Sequence, residues 1–356
     1  MSPHIIIDQY NLTISFLITL AWQMIGFAIA WTFKFDKVTD FTGGSNFFIL
    51  ALITLTTGDT YTARNIVASV LTMLWAARLA GFLLFRVLKT GSDTRFDDIR
   101  SHFFKFAGFW VGQIVWVWIV SLPVVILNSS AVSSTLRSGD PSFGKATDII
   151  GIILFAIGLF WEAVGDIQKY MFKSSKPPKG QPCTKGLWYY SRHPPYFGEM
   201  TLHWGLWLLC LTPTINGGLP NSAKAAQYSA ILSPIFTMIL LLFASGLPTA
   251  EKPTAKKFFL MSYSSIKQNQ LDNNNNNSSS ISTRFSEPEP ENEIWSNYKN
   301  YLKKTSIIIP FPPFLYLNLP EWLKSSLLLD LPFFKFDEQI DGKQALEEER
   351  KKRASV

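Results

Sequence analysis

Apolar stretches long enough to cross a bilayer recur along this 356-residue chain, and they limit what it can fold into more than any other feature. Spanning about 30 Å of hydrocarbon takes about 20 apolar residues in a helix. Stretches near that length run at Thr13–Phe33, Ser45–Thr57, Asn65–Phe85, Phe103–Leu127, Asp148–Gly165, Met200–Ile215 and Ala225–Gly246. Inside lipid every backbone polar group must be satisfied within its own segment, so each is expected to be a helix. The second and sixth are short, as tilted, re-entrant or partly covered segments would be. The expected fold is therefore all-α, a polytopic membrane protein with a bundle of six or seven transmembrane helices. In the six-span version Ser45–Thr57 does not cross. The first stretch has neither a basic leader nor a small-residue cleavage site, and is expected to stay as a span.

Composition agrees. Hydrophobic residues are 47% and charged residues only 17%, against about 25% charged in soluble domains. Mean hydropathy is +0.15 although the last third is strongly polar. A soluble globular enzyme, a disordered scaffold and a disulfide-stapled secreted domain are excluded. The two cysteines, Cys183 and Cys210, stand far from any CxxC or Cys/His spacing, so no disulfide framework and no metal site is expected. A net charge of +7 could suggest nucleic acid, but in an apolar chain it marks cytosolic loops.

Those loops set an orientation. Segments 34–37, 86–105, 169–192 and 252–257 are rich in Lys and Arg, whereas 128–147 is Ser-rich with only Arg137 and Lys145. The positive-inside rule puts the basic segments and the C-terminus in the cytosol. Along the chain the expected divisions are N-terminal transmembrane helices (1–128), C-terminal transmembrane helices with the most informative motif (129–251), a low-complexity disordered insertion (252–293), a C-terminal motif with an interfacial segment (294–336) and a charged tail (337–356). The insertion carries five consecutive Asn (273–277) and a Ser run, a composition that cannot bury a core. Residues 311–336 alternate Pro, aromatics and Leu, which suits a segment lying in the membrane interface.

The chemistry concentrates between Asp166 and Glu199. Lys169 and Lys173 are four apart and so share a helix face, where they could bind phosphate or snorkel to lipid headgroups. The string Gly186-Leu-Trp188-Tyr-Tyr-Ser-Arg192-His193-Pro-Pro195-Tyr196-Phe-Gly-Glu199 follows. Arg192 offers a planar fork suited to phosphate or carboxylate. His193 adds a donor near neutral pH. The surrounding Trp and Tyr faces could stack on a flat ring, so together these residues suit a phosphate-bearing, aromatic-headed cofactor. Arg78, Glu162 and Asp166 lie in or at the ends of apolar spans, where ionisable groups are paired or functional. Arg78 could pair with Glu162 or serve a substrate. Trp110, Trp116 and Trp118 read as packing residues, and His102 and His203 as singletons. No GxGxxG follows a strand, so a Rossmann domain is not the cofactor binder.

The same string resembles the signature of the steroid 5-alpha-reductase-like membrane superfamily, in the branch with the form GLW-x-x-SRHPNYFGE. That superfamily is related to sterol reductases and, more distantly, to isoprenylcysteine carboxyl methyltransferases. Asp40–Phe47, Trp75–Leu79, 93–96, Trp110–Pro123, Ser245–Pro248 with Glu251, and Tyr298-x-x-Tyr301-x-x-x-Thr305-Ser306-x-x-Ile309-Pro310 extend the resemblance over most of the chain. It implies a cytosolic pocket binding NADPH, lined by Lys169, Lys173, Trp188, Arg192, His193, Tyr196, Glu199, Glu251, Tyr298 and Tyr301. Lys173 stands where sterol-reductase relatives have Arg, which keeps the charge but not the bidentate geometry. Pro195 stands where the branch has Asn, removing an amide that could bond the cofactor and a backbone N–H. The catalytic acid stays unassigned.

The implied function is a membrane-bound reductase, an oxidoreductase passing hydride from NADPH to an activated C=C of a lipid that is sterol-, steroid- or polyprenol-like. Alternatives are an S-adenosylmethionine-dependent lipid or prenylcysteine methyltransferase, and a non-catalytic relative. The paired Lys169 and Lys173 favour the phosphate-bearing cofactor. The expected partners are a lipid substrate within the bilayer and the membrane, with no nucleic acid and no metal. The expected location is the endoplasmic reticulum, where most relatives lie.

Overall fold

A computed structural model describes residues 7–34, 38–58, 61–90, 99, 101–133, 141–276 and 293–354. Among these the chain is helical, and the only extended pairing is a single parallel bridge between Ser191 and Ser306. Six helical runs are long and apolar enough to cross a membrane. They are α1 (Leu12–Thr32), α2 (Val38–Thr56), α3 (Ala63–Thr90, its apolar span ending at Lys89), α4 (Phe103–Leu127), α5 (Ala146–Ser174) and a run from Asn221 to Tyr263. The protein is an integral membrane protein of helical architecture.

Two spans differ from the expected pattern. The second stretch begins at Val38, seven residues before Ser45, because Thr39, Thr42, Gly43 and Gly44 are buried against protein and join the helix. Thus Ser45–Thr57 belongs to a helix long enough to cross. The shorter element is α6 (Pro194–Cys210), 17 residues that stop at the turn before α7 (Thr212–Asn216). The last apolar stretch is broken into α8 (Asn221–Ser229), α9 (Leu232–Ile239) and a wide turn at Leu240–Ala244. Beyond it, α10 (Leu247–Asn276) continues as helix into the stretch read as an insertion. Residues 277–292 and the 93–96 motif lie outside the described residues.

The chain forms two compact units. The first comprises residues 1–159 and 199–238. Its core packs Phe47, Trp75, Val117, Phe155, Leu202 and Leu209. Trp116 meets Phe47 edge-on at 4.9 Å, Trp118 meets Phe16 at 5.6 Å, and Trp110 packs among Phe27 and Phe106, so all three are packing residues. Gly151 and Gly205 face each other so closely that a Cβ on Gly151 would lie 2.7 Å from the Gly205 carbonyl. This is the close backbone approach that small residues give to membrane helices.

Polar groups inside this unit are tied across helices. Gln113 Nε2 donates to Gln23 Oε1 and to the Thr39 carbonyl, each at 3.0 Å, and Gln23 donates to Asn46 at 3.0 Å. Asn65 donates to Asn128 at 2.9 Å, which donates in turn to Ser69 at 2.9 Å. Arg64 holds Asp148 at 2.8 and 3.0 Å, and both are buried. Each such bond between membrane helices contributes about 0.6 kcal/mol on average.

The second unit comprises residues 160–198 and 239–356. It contains the end of α5, a turn at Gly186–Tyr189, α10, α11 (Glu293–Lys304), α12 (Pro313–Tyr316), α13 (Glu321–Leu327) and α14 (Lys343–Ala354). Ala255, Trp295 and Tyr298 form its aromatic core, with Phe258 stacked on Tyr298 at 4.1 Å.

Candidate functional site

The Arg-His string folds onto the end of α5 because small and amide-bearing residues let it approach. Gly186 takes a left-handed φ of 64° and lies against the Gln168 amide, so a side chain at 186 would collide with it. Gln168 Oε1 accepts from the Leu187 N–H at 2.9 Å, and Trp188 Nε1 donates to the Gly165 carbonyl at 2.9 Å. Lys169 Nζ then sits 4.0 Å from the Trp188 ring centroid, a cation–π contact. Tyr301 closes this side by donating to the Trp188 carbonyl at 3.0 Å. Lys173 lies exposed in the last turn of α5.

Next, Ser191 and Arg192 are held by the Thr305–Pro310 motif. The Arg192 N–H donates to the Ser306 carbonyl at 2.8 Å, Ser191 Oγ donates to the Ile308 carbonyl at 2.7 Å, and the Phe311 N–H donates to the Tyr190 carbonyl at 3.1 Å. Two motifs more than a hundred residues apart in sequence are one structural unit here. The chain then enters α6 through Pro194 and Pro195, which pack on Gly165. Pro195 is the second residue of that helix, where a backbone N–H has no intrahelical acceptor, so the proline costs no helix bond.

The Arg192 side chain points into a buried charged cluster. Nη1 pairs with Glu251 Oε2, and Nη2 donates to Asp330 Oδ2 at 3.2 Å. Glu251 Oε1 lies 2.6 Å from His193 Nε2, and the His193 ring stacks on Tyr196 at 5.0 Å and 4°. Tyr316 donates to Asp330. Burial works against the guanidinium charge, but the adjacent Glu251 and Asp330 carboxylates outweigh it and hold Arg192 above the ordinary arginine value. Arg192 Nε and Asp330 Oδ1 are buried with no partner.

A cavity of about 450 Å³ opens beside this cluster. Its walls carry five cations, Arg192, Lys299, Lys303, Lys324 and Lys335, against three carboxylates, Glu251, Glu321 and Asp330. Among these, Lys324 and Lys335 bond Glu321 at 3.0 and 2.6 Å, and Lys299 bonds Glu338 at 3.1 Å. The volume falls in the range of small-molecule sites. The excess of cations and the unpartnered Arg192 Nε fit an anionic, hydrogen-bonding ligand.

Of the residues singled out from sequence, the structure brings Arg192, His193, Tyr196 and Glu251 into one cluster, with Trp188, Lys169 and Tyr301 in a second layer of contacts. Tyr298 is buried in the aromatic core of the same unit. Glu199 falls in the first unit. Asp330, Tyr316 and Lys324 were missed. The signal for Asp330 was present, because a carboxylate inside Leu327-Leu-Leu-Asp330-Leu-Pro-Phe-Phe334 is as costly as the ionisable groups flagged in the spans.

Fold and cluster together define a polytopic helical membrane protein with a charged, cavity-lining Arg–carboxylate centre. Residues 26–269 match the family described as "Protein of unknown function (DUF1295)", and the chain belongs to that family. It is also similar to "Probable O-methyltransferase ustE" of Ustilaginoidea virens, 38% identical over 68 residues, which is 19% of this chain and 23% of that protein. No solved structure matches the chain.

Proposed function

We propose that the protein is a membrane-bound reductase of the steroid 5-alpha-reductase-like kind, acting on an activated C=C of a sterol-, steroid- or polyprenol-like lipid with NADPH. The observation that carries this reading is the cavity beside Arg192, with more cations than carboxylates on its wall. A dinucleotide with several phosphates gains from that charge excess, whereas the sulfonium cofactor of methyl transfer is itself cationic. NADPH, when bound, supplies the hydride. In this reading Lys299, Lys303 and Lys335 attract the phosphates. Arg192 acts as a positioning residue, because its Nη1 and Nη2 already hold Glu251 and Asp330. Glu251 fixes the His193 ring against Tyr196. In this reading the membrane is that of the endoplasmic reticulum, with the motif and the C-terminus on the cytosolic side, and the Lys/Arg asymmetry supports that orientation.

A second reading, methyl transfer from S-adenosylmethionine to a lipid or prenylcysteine, is favoured by one observation, the partial similarity to a relative named as an O-methyltransferase. Calorimetric titration of the detergent-purified chain separates the two. The expected result is salt-sensitive binding of NADPH, weakened only about 1.5- to fivefold by Lys303→Ala because solvent screens a rim charge. Binding of S-adenosylmethionine without NADPH would replace the first reading by the second.

A further inference from the structure

Residues 311–336 fold as a strip with two chemically opposed faces. Pro313, Pro320 and Pro332 open or precede its three short helical turns, which keeps the strip from forming one long helix. One face is buried: Tyr316, Lys324, Leu328, Asp330 and Phe334. Tyr316, Lys324, Asp330 and Phe334 on this face are also wall residues of the cavity. The opposite face exposes Phe314 (69%), Trp322 (68%), Leu327 (63%) and Phe333 (53%). An apolar, aromatic face of this density on an ordinary water-facing surface would be an aggregation liability.

We propose that the outer face of this strip beds into the interfacial layer of the bilayer, so that one element both lies on lipid and closes the cavity. Two observations select lipid as the occupant. The first is continuity. Phe333 stacks on Phe243 at 6.0 Å and 22°, and Phe243 is an exposed residue of the Asn221–Tyr263 run that is apolar enough to cross a membrane. The strip is therefore joined, ring on ring, to the exposed side of a run apolar enough to lie in a bilayer. The second is chemistry. The exposed face is Trp, Phe and Leu, and the nearby cations Lys324 and Lys335 are both drawn to Glu321. Amphipathic rings with an apolar body settle at the headgroup level, where Trp concentrates. A lipid-bedded wall gives the cavity a route to molecules dissolved in the bilayer, whichever reaction it performs.

The test is depth measurement on the full chain in phosphatidylcholine nanodiscs. Nitroxide labels are placed on Phe314→Cys, Trp322→Cys and Leu327→Cys, with Lys351→Cys on the exposed last helix as the water reference. The native cysteines, Cys183 and Cys210, are buried, and the unsubstituted chain supplies the background. Labels on the strip should collide with oxygen at least threefold more, and with a water-soluble nickel chelate at least threefold less, than the label at 351. Nickel collisions equal to those at 351 would overturn the proposal by placing the face in water. Shielding from both reagents would also overturn it, by placing a protein surface there. Three exposed label sites keep the test open if one variant folds poorly, and no readout depends on a cofactor or on activity.

Discussion

Loss of Arg192 should damage the second unit far more than neutralising Asp330, one of the two carboxylates it holds. The side chains of Arg192, Glu251 and Asp330 are 7%, 8% and 5% exposed, so none can turn to water without opening the unit. Arg192→Leu leaves two carboxylates facing each other without the guanidinium. Removing one partner of a buried ion pair costs about 3–5 kcal/mol. Asp330→Asn leaves the Arg192–Glu251 pair whole, and the amide carbonyl still accepts a bond, so the loss is about 1 kcal/mol, that of one hydrogen bond weakened. At roughly 2–4 °C per kcal/mol for a unit of this size, Arg192→Leu should melt roughly 6–20 °C below the parent, and Asp330→Asn roughly 2–4 °C below it. Scanning fluorimetry on the detergent-purified chain reads both. Adding Glu251→Gln and Asp330→Asn to Arg192→Leu should recover several degrees, because the stranded charges go with them, a coupling that neighbours show and distant sites do not. Equal melting of Arg192→Leu and Asp330→Asn would refute the argument, since it would mean that the three charges do not share one desolvated environment.

Three further outcomes follow from single sites. Pro195→Asn should change the melting temperature by no more than about 2 °C, roughly 0.5 kcal/mol, because the second position of α6 needs no N–H bond; a large loss would show that the proline itself shapes the turn. The contribution of three buried tyrosines to stability should be flat below the ordinary tyrosine value of 10.0 and fall as pH rises past it. Burial pushes Tyr298, Tyr301 and Tyr316 above that value, so the unfolded chain releases these protons first; a melting temperature unchanged between pH 9 and about 11 would contradict it. His203→Leu should be neutral or stabilising by up to about 1 kcal/mol, since both ring nitrogens are buried without partners beside Trp75, and a shape-filling apolar side chain removes that penalty; a loss above about 2 kcal/mol would show that His203 has a partner that matters.

What could be read from the sequence was decided by the length of the apolar run and, where that run breaks, by which surface each residue meets. Spans such as α1 and α4 are unbroken apolar runs, the first mostly exposed on the protein's outside and the second mostly buried within it, and a run that long is legible whichever surface it meets, so their limits stood out in the chain. The start of α2 did not, because Thr39, Thr42 and Gly44 face neighbouring helices, and polar or small residues in that setting look like a loop when only hydropathy is weighed. The same holds for the Gln23–Asn46–Gln113 and Asn65–Asn128 ties, whose members look unremarkable until packing places them together. At the candidate site, the Arg-His string announced itself because a rigid, charged, aromatic segment beside hydrocarbon needs a reason to exist. Its partner Asp330 lies 138 residues further on, and no local spacing links the two. Yet charge balance could have asked for it. A buried guanidinium needs carboxylates, and Asp330 is the single ionisable residue between Lys324 and Lys335 in a stretch rich in Leu and Phe. Treating a lone carboxylate in an apolar segment as the missing half of a distant ion pair, rather than as the polar edge of an interfacial strip, turns a local oddity into a long-range contact.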